Sequence, residues 1–299
     1  ADNVTLVIEG ATGTINVTSD AAGTTLRLVD STVAGSLTLR GPHAFAHVRR
    51  STVTGTDVVV LSGALNVTIT VTDSTLTGTV VASVLSSAVG VSLTISNSTL
   101  SATRYAASVV GATIRDVAIA VTDSRLTLAG ADNVGVVALA AATVFNAAVN
   151  VTASSVTCKA GSYVGVLGAG SNSGAVTWTN VTVSAALANV TSTATGNYVG
   201  VLGAGSSGGA VSWTNVTVSA ALANVTSTAG SIVGVLGAGS NIGSVSWTNV
   251  TVSAALANVT SIAGSYVGVL GAGSNGDVRW ANVIVSAALA NVTSTARDV

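Results

Sequence analysis

In the stretch "ALNVTITVTDS", Leu65, Val67, Ile69 and Val71 alternate with Asn66, Thr68, Thr70 and Thr72. A period of two sends successive side chains to opposite faces of a strand, so the apolar set is expected inside and the polar set in solvent. The same alternation recurs in "LRLVDS", "SLTISNS", "AIAVTDS" and, in longer form, "WTNVTVSAAL". Val, Ile and Thr dominate these runs, as a pleated, half-buried surface favours. By parity Val149 and Val151 point inward and Asn150 outward. Val181 and Val183 point inward, and the same count places Trp178 outside beside Asn180.

The alternating units repeat. The Ser that succeeds each variable turn residue falls at Ser31, Ser51, Ser74, Ser98, Ser124 and Ser154, in steps of 20, 23, 24, 26 and 30 residues. Trp178, Trp213, Trp247 and Trp280 continue the series at 35, 34 and 33. "NVTVSAALANVTS" comes after each of the first three Trp, and "NVIVSAALANVTS" after the last. A strand-like repeat of this length, punctuated by Gly, Asn and Ser, predicts stacked turns. The expected fold is all-β, a single-stranded parallel β-helix (β-solenoid) of about ten rungs that grow from 20 to 35 residues. It runs as one continuous domain over 1–299, with shorter degenerate rungs in 1–143 and longer near-identical Trp/Asn repeats in 144–299. At about 4.8 Å per rung the rod is on the order of 50 Å long.

One motif points elsewhere at first sight. "YVGVLGAGSNSG" from Tyr163 resembles a dinucleotide-binding turn, which needs a helix after its last Gly and an acidic residue about 20 positions on. Here the last Gly leads into the strand-like "AVTWTNVTVSAAL", no Asp or Glu occurs between Asp132 and Asp277, and the motif returns at Tyr198, Ile232 and Tyr266. The glycines are therefore assigned to bends and close backbone contacts.

Charge is scarce: 7% of residues, net −1, and none between Ala160 and Gly276. Without clustered Lys and Arg there is no footprint for nucleic acid. No run of about 20 apolar residues is present, so no membrane-spanning helix is expected. The lone Cys158 cannot form an intrachain disulfide and reads as a small buried residue.

Twelve Asn-x-Ser/Thr sequons occur: Asn3, Asn16, Asn66, Asn97, Asn150, Asn180, Asn189, Asn215, Asn224, Asn249, Asn258 and Asn291. Most fall where alternation or a corner places Asn in solvent. They imply a secreted or cell-surface protein carrying covalent N-glycans, with no other cofactor expected. A sugar coat would also disperse a rod so poor in charge. The competing reading is a bare hydrogen-bonded Asn ladder. On the parity assignment, Trp178, Trp213 and Trp247 would lie beside Asn180, Asn215 and Asn249 and pack against the first sugar.

Catalytic chemistry has a thin basis. Asp30, Arg50, Asp73, Asn97 and Asp123 share one turn column; Asp73 and Asp123, two rungs apart, approach the separation of an inverting glycosidase pair. Each Asp sits in a "DS" turn, where it serves the backbone. His43 and His47 are the only histidines and lack an evident third metal ligand.

The "VTDSTL", "ISNSTL" and "NVTVSAALANVT" units resemble those of the dispersed gene family proteins, N-glycosylated surface proteins of kinetoplastid protists with a β-helix fold. The resemblance implies an adhesin-like or coat role and brings no catalytic residues. The expected function is that of a non-enzymatic, extracellular, N-glycosylated structural solenoid. Terminal rungs that bear no distinct polar cap suggest end-to-end self-association into a homopolymeric filament or coat. The alternatives are a polysaccharide-active β-helix enzyme and a carbohydrate-binding adhesin.

Overall fold

A computed structural model describes residues 3–295 except 63–64, 86, 130–136, 141–142, 160–162, 172–174, 194–197, 207–208, 229–231, 241–242, 263–265, 275–276 and 289–290. The described residues form three parallel sheets and no helix. Each sheet takes one strand from successive rungs in sequence order, so the chain coils as a three-sided parallel β-helix. Eleven rungs are present among the described residues. The first sheet begins with Thr5–Glu9, the second with Thr12–Thr14 and the third with Val17–Ser19.

The coil widens along its axis as the spacing implies. First-sheet strands lengthen from Thr5–Glu9 through Leu65–Thr72 and Thr113–Thr122 to Val176–Ala186. Third-sheet strands grow from Val17–Ser19 to Tyr163–Ser171, while the second sheet keeps strands of three to seven residues. Equivalent residues of the late repeats pair in register: Trp178 with Trp213, Val181 with Val216, Asn189 with Asn224, Tyr163 with Tyr198.

Inside is one apolar core running through all three sheets, built of Leu, Val, Ile and Ala such as Leu26, Val48, Ile69, Leu93, Val121 and Val149. Parallel strands without covering helices are uncommon; here each sheet buries one face against the other walls of the same coil. Glycine allows close stacking at the corners. A Cβ at Gly55 would strike the carbonyl oxygen of Gly35, and one at Gly243 would strike the backbone of Gly209. The side-chain surroundings of most of the "GVLGAG" strands, and of Cys158, lie outside the described residues.

Two corner columns break the strand with left-handed backbone. The first, between the first and second sheets, is Gly10, Asp30, Arg50, Asp73, Asn97, Asp123, Ala153, Leu187, Leu222 and Leu256, with φ between 45° and 61°. A buried Ser comes next in six rungs. Each Ser Oγ donates to the carbonyl two residues back, and from Ser31 to Ser124 the backbone N–H donates to the next rung's Ser Oγ: Ser51 N–H reaches Ser74 Oγ at 3.1 Å, and Ser74 Oγ reaches the Thr72 carbonyl at 2.6 Å. The chain of bonds runs from Ser31 to Ser154. From Ala188 onward the buried position is Ala.

The second column enters the first sheet near its start: Gly23, His43, Asn66, Gly90, Asp116, Asn146, Asn180, Asn215, Asn249 and Asn282, with φ between 48° and 73°. Gly, Asn and Asp are the residues that accept this conformation most readily. Leu does not, and a left-handed L-residue costs roughly 1–2 kcal/mol. Leu187, Leu222 and Leu256 are therefore placed against both conformational and solvent preference.

Left-handed residues also reset parity. In "WTNV" Trp178 is buried, Thr179 and Asn180 both turn outward, and Val181 is buried again. The assignment of Trp178, Trp213 and Trp247 to the outer face is thereby corrected: all three indoles are wholly buried. The same reset at Asn66 leaves Leu65 exposed rather than inside. Beyond the reset, alternation holds: Val67, Ile69, Val71, Val149, Val151, Val181 and Val183 face inward.

Candidate functional site: two columns of outward asparagines

All twelve sequon asparagines are exposed on the outer surface. Two sets form ladders. In the first sheet the Nδ2 of each Asn donates to the Oδ1 of the rung before: Asn180 to Asn146, Asn215 to Asn180, Asn249 to Asn215 and Asn282 to Asn249, at 3.0 to 3.1 Å. The series is anchored on Asp116, whose carboxylate accepts from Asn146 at 3.0 Å. At the start of the second-sheet strands Asn224 donates to Asn189, Asn258 to Asn224 and Asn291 to Asn258, at 2.8 to 3.1 Å. Both the glycan and the ladder readings of the sequence therefore concern the same amides.

They are chemically compatible. A primary amide carries two N–H donors; the ladder uses one, and an N-linked sugar would replace the other. The remaining sequon residues are positioned singly. Asn16 Oδ1 accepts from the Ser36 backbone N–H at 2.9 Å, and Asn97 Nδ2 donates to Asp73 Oδ1 at 2.7 Å. Asn150 projects from mid-strand between buried Val149 and Val151. Asn66 belongs to the second left-handed column, and Asn3 lies against Gly23 of the same column.

Between the ladders the first sheet offers Thr182, Thr217 and Thr251 beside Ser184, Ser219 and Ser253, all turned outward. The surface is polar and without charge, because residues 160–276 contain no charged side chain.

The tryptophans form a column under this surface. Ring centroids of Trp178, Trp213, Trp247 and Trp280 are 5.4, 5.2 and 5.4 Å apart, with interplanar angles of 13°, 5° and 7°. Nε1 of the first three is buried without a partner among the described residues. Each orphaned donor costs about 1–3 kcal/mol, offset by burial of a large ring and its stacking. An outward sugar has no access to these indoles, so the glycan-stacking role expected of them is withdrawn. The sequence held a signal for this: Trp178 and Val181 are three apart, which one strand face cannot accommodate without an extra residue between them.

The acidic column is built as a turn. Asp30, Arg50, Asp73, Asn97 and Asp123 are all left-handed residues on the outside of the first corner. Arg50 grips Asp30 in a two-pronged pair of 2.5 and 2.6 Å. That hydrogen bond, with the Arg50 charge, holds the Asp30 carboxyl below the usual carboxylate range. A general acid needs the opposite shift. On the neighbouring face His47 lies beside Arg27 in register. Partial burial first, then the charges of Arg27 and Arg49, push its imidazole below the ordinary histidine value.

The fold and its outer face define a class, the parallel β-solenoids with a repeat-borne amide surface. No family model, curated protein or solved structure matches the chain.

Proposed function

We propose that the protein is an extracellular, N-glycosylated structural solenoid, a rigid rod that serves in a filament or surface coat. The observation that carries this reading is the outward exposure of every one of the twelve sequon asparagines. In the first-sheet strands of the late repeats, such as Val176–Ala186, the inward positions are Val, Trp and Ala, and the hydroxyl and amide side chains all face the outer surface. Sugar on these amides supplies the hydration that 7% charged residues cannot. An adhesin-like or coat role, as in the kinetoplastid proteins whose repeat units these resemble, fits a scaffold of this kind.

Association along the axis is the second part of the proposal. Leu6 and Val7, and Trp280, Ile284 and Val285, are exposed apolar side chains on the first and last strands of the first sheet, which pair on one edge only among the described residues. Such edges recruit further strands.

The test is intact-mass analysis of the protein made through a secretory pathway, before and after enzymatic deglycosylation, with sedimentation of the same sample. A large mass loss and sedimentation as rods longer than one chain are expected. A mass equal to that of the bare polypeptide would overturn the glycoprotein reading; a dispersed monomer would overturn the filament.

A further inference from the structure

The first corner column contains an anomaly. In the narrow rungs its left-handed position is Gly10, Asp30, Arg50, Asp73, Asn97, Asp123 and then Ala153, residues small or polar enough for an exposed turn. In the wide rungs it becomes Leu187, Leu222 and Leu256, whose relative exposures are 55%, 48% and 48%. Leu is disfavoured there twice over, by its φ of 54° to 55° and by its exposure. Stacked on successive rungs, the three form an exposed apolar ridge.

The substitution has a companion. Two residues after the corner, the narrow rungs carry Thr32, Thr52, Thr75, Thr99, Arg125 and Ser155. Where the corner is Leu, that position is a sequon asparagine: Asn189, Asn224 and Asn258. The intervening Ala188, Ala223 and Ala257 are fully buried, so Leu and Asn of each pair stand side by side on the outer surface. A residue disfavoured by both its backbone and its exposure, repeated on three rungs, points to a function on the outer surface.

We infer that the Leu187–Leu222–Leu256 ridge is a seat for the first sugar of the N-glycans on Asn189, Asn224 and Asn258. A pyranose has an apolar C–H face, and the ridge stands beside these amides on the outer surface, two residues away along each rung. The ladder hydrogen bonds from Asn224 to Asn189 and from Asn258 to Asn224 fix the amide planes, so the attached sugar leaves the surface in a defined direction rather than swinging free. A sugar on any one rung spans its neighbours, because rungs lie about 4.8 Å apart. Covering the ridge removes the apolar exposure and gives the column a rigid, outward-pointing glycan. The inference rests on the glycoprotein reading above and adds a contact to it.

A mutant cycle on the full secreted chain, with glycans trimmed to the first sugar, tests it. One arm replaces Leu187, Leu222 and Leu256 by Ser; the other replaces Asn189, Asn224 and Asn258 by Gln, which keeps an amide but accepts no sugar. Thermal unfolding is read for all four combinations, with peptide mass mapping of the Asn189, Asn224 and Asn258 column. Because Gln also disturbs the amide ladder in both backgrounds, the expected result is a Tm loss roughly 2–4 °C larger when Leu is present than when Ser is present. Equal shifts in both backgrounds, with sugar mapped to the column, would overturn the seat and leave the glycoprotein reading standing. Absence of sugar from the column while other sequons carry it would overturn the seat alone. Absence from all twelve would overturn both.

Discussion

The narrow and wide halves of the rod solve the same problem with different chemistry. In the narrow rungs, from Ser31 to Ser154, the corner is held by a buried serine in every turn, with mostly charged or amide side chains outside it. A small coil has little apolar volume, and each Ser satisfies two backbone groups that the tight corner would leave bare. In the wide rungs the serine is replaced by Ala188, Ala223 and Ala257, charge disappears, and a stack of indoles fills the larger interior. Order there comes from long in-register strands and from amide ladders on the surface. As the circumference grows, side-chain volume takes over from corner hydrogen bonds.

Trp213→Ala opens a cavity between two stacked indoles and is expected to cost about 3–5 kcal/mol, measured by denaturant unfolding. Trp280→Ala, at a terminal rung where the ring is half exposed, should cost far less. Equal costs would mean that the column does not organise the wide half. Next in size, Ser74→Ala removes the acceptor for the Ser51 N–H and the donor to the Thr72 carbonyl, a loss of about 1–3 kcal/mol. The reciprocal Ala223→Ser, at a corner that already folds with Ala, should gain nothing comparable. Similar magnitudes at both sites would erase the distinction between the halves.

The smallest effect concerns pH and is confined to the narrow half. His47 has its pKa lowered in the folded state by burial and by Arg27 and Arg49. Its contribution to stability is therefore present above the unfolded value near 6.5 and lost as pH falls through that value toward the folded one. Thermal melts of the wild type should weaken slightly below about pH 6.5, and His47→Gln should remove that part of the slope. The wide rungs, free of Asp, Glu, Lys, Arg and His from 160 to 276, should show no such dependence.

Much of the fold was legible in the residues alone. The serine steps of 20, 23, 24, 26 and 30 reappear as the spacing of the corner hydrogen bonds, since in-register stacking leaves no other way to repeat. The outward placement of Asn150 and the inward placement of Val149 came from strand parity alone. The side of the tryptophans did not. Parity counting assumes an unbroken strand, and Asn180, Asn215 and Asn249 break it by adopting left-handed φ. The consecutive polar pair Thr179–Asn180 carried that information, and so did Gly90, which occupies the same column. The leucine ridge was hidden for the same reason. Leu187 looks like one more apolar strand residue until the corner turns its side chain into solvent.

The division of each wide rung into buried indole and exposed amide can be measured directly by oxidising native protein with N-bromosuccinimide and counting modified tryptophans by mass. At most one of the four indoles, Trp280, should react in the folded chain, and all four after unfolding. Ready oxidation of Trp178, Trp213 and Trp247 in the native state would place the column on the outside and contradict the structure on which the proposed glycan surface rests.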